Sequence, residues 1–222
     1  MKQMSRMGLE SEECVTNPAD SGLFPALTVA VSRITELLSP TGTAWLLGGS
    51  CGLALQGVEI GAQPRDLDVY VDAPEAEIAA RSLAEYAVDE QELNCTDMYT
   101  SILSHYELDG VQVELVGGFQ VRTSGSQYAV EASYLRRTHP EIRTISGGTL
   151  ALMPLAHELL FNILRGRPDR YEAIAEVMNR DIACHLPVLQ DIIARHTWSE
   201  ETSQQIAKLM PDCLIIKDRE DT

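Results

Sequence analysis

The 222-residue sequence predicts an α/β (α+β) fold: a mixed central sheet flanked by helices, followed by a C-terminal helical region. Three observations predict it. Apolar residues recur at helical spacing from Phe24 to Leu38. Between Ala44 and Leu135 they change to short runs and strict alternation, the pattern of strands. Beyond residue 150 helical spacing returns in four successive segments.

Residues 1–20 are polar and aperiodic and read as a flexible leader. Pro25 then opens a helix whose face carries Phe24, Leu27, Val31, Ile34 and Leu38, and Ser39-Pro40 ends it. Ala44 to Leu47 suit a buried strand that stops at Gly48-Gly49-Ser50. Cys51 to Gln56 fit a short helix, and Gly57 to Arg65 a loop. Leu67, Val69 and Val71 alternate with Asp66, Asp68 and Tyr70, as in a strand. Asp72 is expected to cap the next helix, whose apolar face holds Ile78, Leu83 and Tyr86. Asp109-Gly110 between β-prone runs predicts a hairpin, with further strand pieces from Phe119 to Leu135. Leu152, Leu155, Leu159 and Ile163 then begin the helical region. Pro168 starts a second helix, and two more follow around residues 186–196 and 199–209. The expected organisation is a leader at 1–20, a core at 21–150 and a helical region at 151–222.

Lys and Arg total 17 against 33 Asp and Glu, a formal charge of −16. Such acidity argues against a nucleic-acid coat protein, because phosphate binding needs a basic surface or bound cations. Only three of the basic residues are lysines, Lys2, Lys208 and Lys217. The five scattered cysteines contain no CxxC pair, and no apolar run approaches the ~20 residues of a membrane span. A soluble cytoplasmic protein without membrane contact is expected.

Residues 45–72 carry the chemistry. Gly48 and Gly49 sit between a strand and a helix start, where bare backbone and free N–H groups favour an anion; Ser50 adds a hydroxyl. A Gly-Gly turn at such a junction is also commonly structural. Asp66 and Asp68, two apart on a strand, share a face, and paired carboxylates repel unless a cation lies between them. A solvated edge strand has the same pattern. Glu114 interrupts the apolar run Val111 to Val116, as either a metal ligand or an outward-facing residue of a half-exposed sheet. The five histidines lack metal spacing, and most of them read as surface or capping residues. Cys51 reads as a small buried thiol, and Trp45 and Trp198 as packing residues.

In order along the chain, Gly49-Ser50, Asp66, Asp68 and Glu114 resemble the signature of the nucleotidyltransferase superfamily related to DNA polymerase β. The likeness covers roughly residues 24–120 and is similar above all to the bacterial abortive-infection type and minimal nucleotidyltransferases. It implies a nucleotidyltransferase fold, with Asp66, Asp68 and Glu114 as catalytic and metal-binding residues for two Mg²⁺ ions. A nucleoside triphosphate is implied as donor, its phosphates held by Gly48, Gly49 and Ser50. A small molecule, a protein or a tRNA is implied as acceptor of a nucleoside monophosphate, with pyrophosphate released. The segment Asn162 to Arg167 has Asn162 where the resemblance expects a lysine, so Arg165 and Arg167, or Arg170, are the expected replacements for its charge. The same departure leaves room for a second expectation: a weak or inactive nucleotidyltransferase-fold binding protein, a partner module of toxin–antitoxin type.

Overall fold

The computed structural model of the chain describes residues 25–145 and 148–214. The leader expected at 1–20, with Phe24, lies outside the described residues. Helix α1 (Pro25–Leu38) buries Leu27, Ala30, Val31, Ile34 and Leu38, the stripe its spacing predicts. Burying each aliphatic side chain contributes about 1.5–3 kcal/mol relative to leaving it exposed, so this face alone fixes the helix on the sheet. Strand β1 (Trp45–Gly48) leads into α2 (Gly49–Leu55), and a loop then delivers β2 (Asp66–Val71).

Asp72 corrects its expectation. It makes no side-chain cap on the turn that follows it. Its carboxylate instead accepts the Ala132 and Ser133 N–H groups, at 2.7 and 3.1 Å, and so caps α4 (Ala132–Thr138), sixty residues on. Helix α3 (Ala76–Ser82) departs at one residue: Ala76, Ala79 and, just beyond the helix, Leu83 are buried and Tyr86 packs against the same core, whereas Ile78 is 47 % exposed. Gly117 and Gly118 of a neighbouring strand approach Ala76 and Ala73 closely. A Cβ at either position would come within 2.6 Å of Ala76 or Ala73, so small residues must meet there.

The sheet adds β3 (Glu92–Cys95), β4 (Tyr99–Leu108), β5 (Val111–Thr123), β6 (Ser126–Ala129), β7 (Glu141–Ile145) and β8 (Gly148–Leu152). Its strand order is β3-β4-β5-β2-β1-β8-β7, with β6 paired to β5. β2–β5 and β1–β8 are parallel and the other pairs antiparallel, so the sheet is mixed as expected. The β4–β5 turn places Asp109 at φ 52° and Gly110 at φ 79°, the left-handed pair a two-residue hairpin requires. A bulge between Thr100 and Ile102 shifts the phase of β4 against β5. Glu114 and Val116 therefore share a sheet face with Phe119 and Val121 despite the change of parity.

Three helical segments expected after residue 150 become α5 (Leu155–Leu164), α6 (Pro168–Arg180) and α8 (Glu200–Leu209), and the third of the four becomes the longer α7 (Ile182–Arg195). α1 and α3 cover one face of the sheet. α4 and α5–α8 cover the other, in a core that includes Tyr70, Phe119, Tyr128, Leu159 and Ile174. Residue 150, the expected boundary, falls inside β8, and the helices beyond it share that core with the sheet. Leu135, expected at the end of strand pieces, is a buried residue of α4. Among the described residues no helix is long and apolar enough to cross a membrane.

Candidate active site

The sheet register assembles the acids. Asp68 stands opposite Gly48 of β1 on one side and Glu114 of β5 on the other, and Glu114 stands opposite His105 of β4. The row Gly48–Asp68–Glu114–His105 thus crosses four adjacent strands on one face. Asp66, two residues before Asp68, lies on that same face. The face continues into the core through Tyr70 and Val116, so the acids mark the edge where the apolar helical layer ends.

Their charges are felt. The Asp68 carboxyl is raised from 3.8 to about 7, first by burial and then by repulsion from Asp66, Glu114 and Glu158, while Arg165 pulls it back. A carboxyl so placed favours either a proton or a cation. Cys51 is pushed up to about 12 by burial and by Asp68 and Asp66, which keeps it a thiol and supports its packing role.

Gly49 shows why the turn has no side chain. Its φ of 61° is left-handed, and a Cβ there would lie 1.6 Å from Asp68 Oδ2. The Asp68 carboxylate thus occupies the space a side chain would fill. The Gly49 N–H, expected to face a phosphate, donates to Glu158 Oε1 of α5 at 2.7 Å. Glu158 is 2 % exposed, and its carboxyl is raised by burial, with the Gly49 N–H, Arg170 and Arg165 opposing. Ser50 Oγ accepts from Arg170 Nη1 at 3.0 Å.

The arginines sort differently from expectation. Arg165 lies over the Phe161 ring at 5.0 Å, within electrostatic reach of Asp68 and Glu158. Arg167 turns to Asp169, with bonds of 2.9 and 2.6 Å, and does not reach the turn. Arg170 does reach it, and its buried Nε atom has no hydrogen-bond partner among the described residues. Asn162 is buried in α5, where its Nδ2 donates to the Glu158 carbonyl at 2.8 Å. It therefore brings no charge to the site.

Two further neighbours escaped the sequence reading. Asp89 holds His105 by its backbone N–H (2.7 Å) and by ring Nδ1, leaving Nε2 3.9 Å from Glu114 Oε1. His157, expected among surface or capping histidines, is fully buried. Its Nδ1 meets the Tyr128 hydroxyl at 2.7 Å, and burial lowers it to about 3.

The donor set fits a hard divalent cation, since carboxylate oxygens are the ligands Mg²⁺ prefers and Asp68 is raised by its acidic neighbours. Among the described residues no three His, Cys, Asp or Glu side chains are drawn together as a ready metal cage. The expected metal residues are thus a row of acids along the sheet, not a closed site.

No protein-family model and no curated protein matches the sequence. Among solved structures, a candidate nucleotidyltransferase from Thermotoga maritima superposes with a TM-score of 0.58 at 21 % identity, covering 71 % of this chain and 96 % of that one. A lincomycin-bound lincosamide antibiotic adenylyltransferase gives a TM-score of 0.42 at 11 % identity, over 66 % of this chain and 94 % of the other. An antigenic nucleotidyltransferase-like protein of Paracoccidioides brasiliensis gives 0.43 at 15 %, over 84 % and 89 %. The likeness to the Thermotoga protein shows the fold.

Proposed function

We propose that this chain, whose fold is that of the nucleotidyltransferases, moves a nucleoside monophosphate from a nucleoside triphosphate to a hydroxyl acceptor and releases pyrophosphate. The observation that carries the proposal is the register that sets Asp68 beside Glu114, with Asp66 on the same face and Asp68 raised by both. Repulsion between clustered, partly buried carboxylates is costly, and a bound cation relieves it.

Asp66, Asp68 and Glu114 would hold divalent ions, Mg²⁺ above all and two in number. When bound, these supply charge neutralisation and Lewis acidity at the triphosphate. Through those ions Asp66 and Asp68 would hold the donor near the Gly48-Gly49-Ser50 turn, whose Gly49 N–H is itself engaged by Glu158. Glu114, half-open to solvent, takes the proton of the acceptor hydroxyl on a carboxylate oxygen as that hydroxyl attacks the α-phosphorus. The bond from the α-phosphorus to the bridging oxygen breaks, and its electron pair leaves with pyrophosphate. Arg165 and Arg170 provide the positive charge that steadies the departing group, the part expected of a lysine at position 162.

The acceptor is a small molecule, a protein or an RNA end. The test offers each α-labelled nucleoside triphosphate with Mg²⁺ to bulk tRNA, lysate protein and an aminoglycoside panel. Label is expected in one pool, and none with Asp68→Asn. Buried, uncharged Asn162 favours a second reading, a binding module on the same fold. Calorimetry without any Mg²⁺-dependent nucleotide binding would decide for that module.

A further inference from the structure

We infer that Glu158 is a positioning residue: by accepting the Gly49 N–H it fixes the backbone on which the Asp68 carboxylate rests, and so sets the geometry of the acid row. The inference deepens the proposed function and rests on it for its activity readout alone.

Glu158 belongs to a helix buried almost all round: Leu155, Ala156, Leu159, Leu160 and Leu164 are buried with it, as are the polar His157 and Asn162. A carboxylate in that company is costly unless its oxygens are engaged. Its engagement is a 2.7 Å bond to a backbone N–H 109 residues earlier in the chain. A hydrogen bond of this length is directional, so it fixes the backbone atom that donates it more closely than apolar packing does.

The two glycines of the turn serve two different carboxylates. A Cβ at Gly48 would lie 2.9 Å from Glu158 Oε1, and one at Gly49 would lie 1.6 Å from Asp68 Oδ2. Glu158 and Asp68 therefore approach the same short stretch of backbone. Any movement of Gly49 is passed to the Asp68 carboxylate, because that carboxylate fills the space of the missing side chain. Arg170 from α6 holds the adjacent residue through Ser50 Oγ at 3.0 Å. α5 and α6 pack against each other, so consecutive residues of the turn are gripped by one helical pair. The helical region thereby takes part in the site although it contributes none of the three acids.

Reach and charge are separable at this position. Glu158→Gln keeps an oxygen at the same distance and removes the charge, whereas Glu158→Asp keeps the charge and withdraws it by one methylene. The full chain is used, with circular dichroism as the check on folding. Three quantities are read: hydrogen exchange of the Gly49 amide by NMR, Mn²⁺ affinity by calorimetry, and the kinetics of transfer. If position governs, Glu158→Gln keeps the Gly49 amide protected. Its Mn²⁺ affinity and kcat then stay within about threefold, while Glu158→Asp exposes the amide and loses about tenfold or more in kcat with little change in KM. A Glu158→Asp variant that outperforms Glu158→Gln, or a Gly49 amide that neither substitution disturbs, overturns the inference. If the wild-type chain binds no Mn²⁺ and transfers nothing, the proposed function fails, and the Gly49 amide alone then decides this inference.

Discussion

Replacing Gly49 by alanine tests the centre of the site without touching an acid. Two costs are expected. Holding a non-glycine residue in the left-handed region, here φ 61°, costs about 1–2 kcal/mol. The new methyl also lands 1.6 Å from Asp68 Oδ2, well inside contact distance. Either the carboxylate or the start of α2 must then move, and overpacking of this kind costs about 1–3 kcal/mol. The sum is about 2–5 kcal/mol, against a backbone cost of about 1–2 kcal/mol if the carboxylate is absent. A double-mutant cycle with Asp68→Ala isolates the difference. Urea denaturation in EDTA, to exclude bound cations, is the assay. Gly49→Ala should cost about 1–3 kcal/mol less in the Asp68→Ala background than in the wild type. If it costs the same in both, to within about 0.5 kcal/mol, then Asp68 does not occupy that space, and the account of why the turn lacks a side chain is wrong.

His157 should make stability depend on pH. Its folded value of about 3 lies below the ordinary 6.5, so the unfolded chain binds one more proton between those limits. Stability is therefore complete above pH 6.5 and falls as the pH drops, by about 1.4 kcal/mol per unit across that window. Asp68 acts with the opposite sign from 3.8 to about 7 in the absence of cations, so the informative quantity is wild type minus His157→Gln at each pH. Denaturation curves at pH 7.5 and 5 that shift equally in both proteins count against the assignment. Asp72→Ala removes both acceptors from the start of α4 and should cost about 1–2 kcal/mol, with Asp72→Asn losing less; thermal melts that do not separate the two contradict the long-range cap. Arg170→Ala should weaken Mg²⁺-dependent nucleotide binding by about tenfold, because a charged donor at the turn is lost. Arg167→Ala should leave calorimetric affinity within about twofold, since that guanidinium is already paired at the surface. Equal losses would mean that the two arginines share the phosphates.

Much of the fold was legible because its main signals are local. The α1 stripe, the alternation in β2, the Asp109-Gly110 turn and the proline that opens α6 each act within one element. The segments that the sequence leaves unassigned or assigns to another partner lack such a local cause. β3 is exposed at every residue, so no apolar period marks it. β7 alternates half-buried and exposed residues and buries only Ile145, so no apolar stripe marks it. Ala73 and Ala76 must be small because Gly117 and Gly118 bring β5 close to them, a constraint that only the packed fold shows, and Ile78 is left exposed. Asp72 was rightly read as a capping residue, but the helix it caps is adjacent only after β2 and α4 have packed.

The site divides along the same line. Asp66 and Asp68 reveal themselves by spacing, since a period of two puts both on one face whatever the strand pairs with. Glu114 could be suspected from its apolar neighbours, yet its closeness to Asp68 depends on parallel pairing between β2 and β5, which neither strand encodes alone. Glu158 had no such signal. In sequence it is one acid in the first turn of a helix, a favourable and common position for a negative charge. Only the fold shows that the residue faces inward and takes the N–H that the turn otherwise offers to an anion. Arg167 and Arg170 are also indistinguishable by type and proximity. They lie three positions apart, and the start of α6 turns one to Asp169 and the other to Ser50. Residues that supply charge could thus be recognised by kind, whereas residues that direct the charge had to be found by contact. That difference is why the acids stand out in the sequence, whereas the parting of Arg167 towards Asp169 and Arg170 towards Ser50 does not.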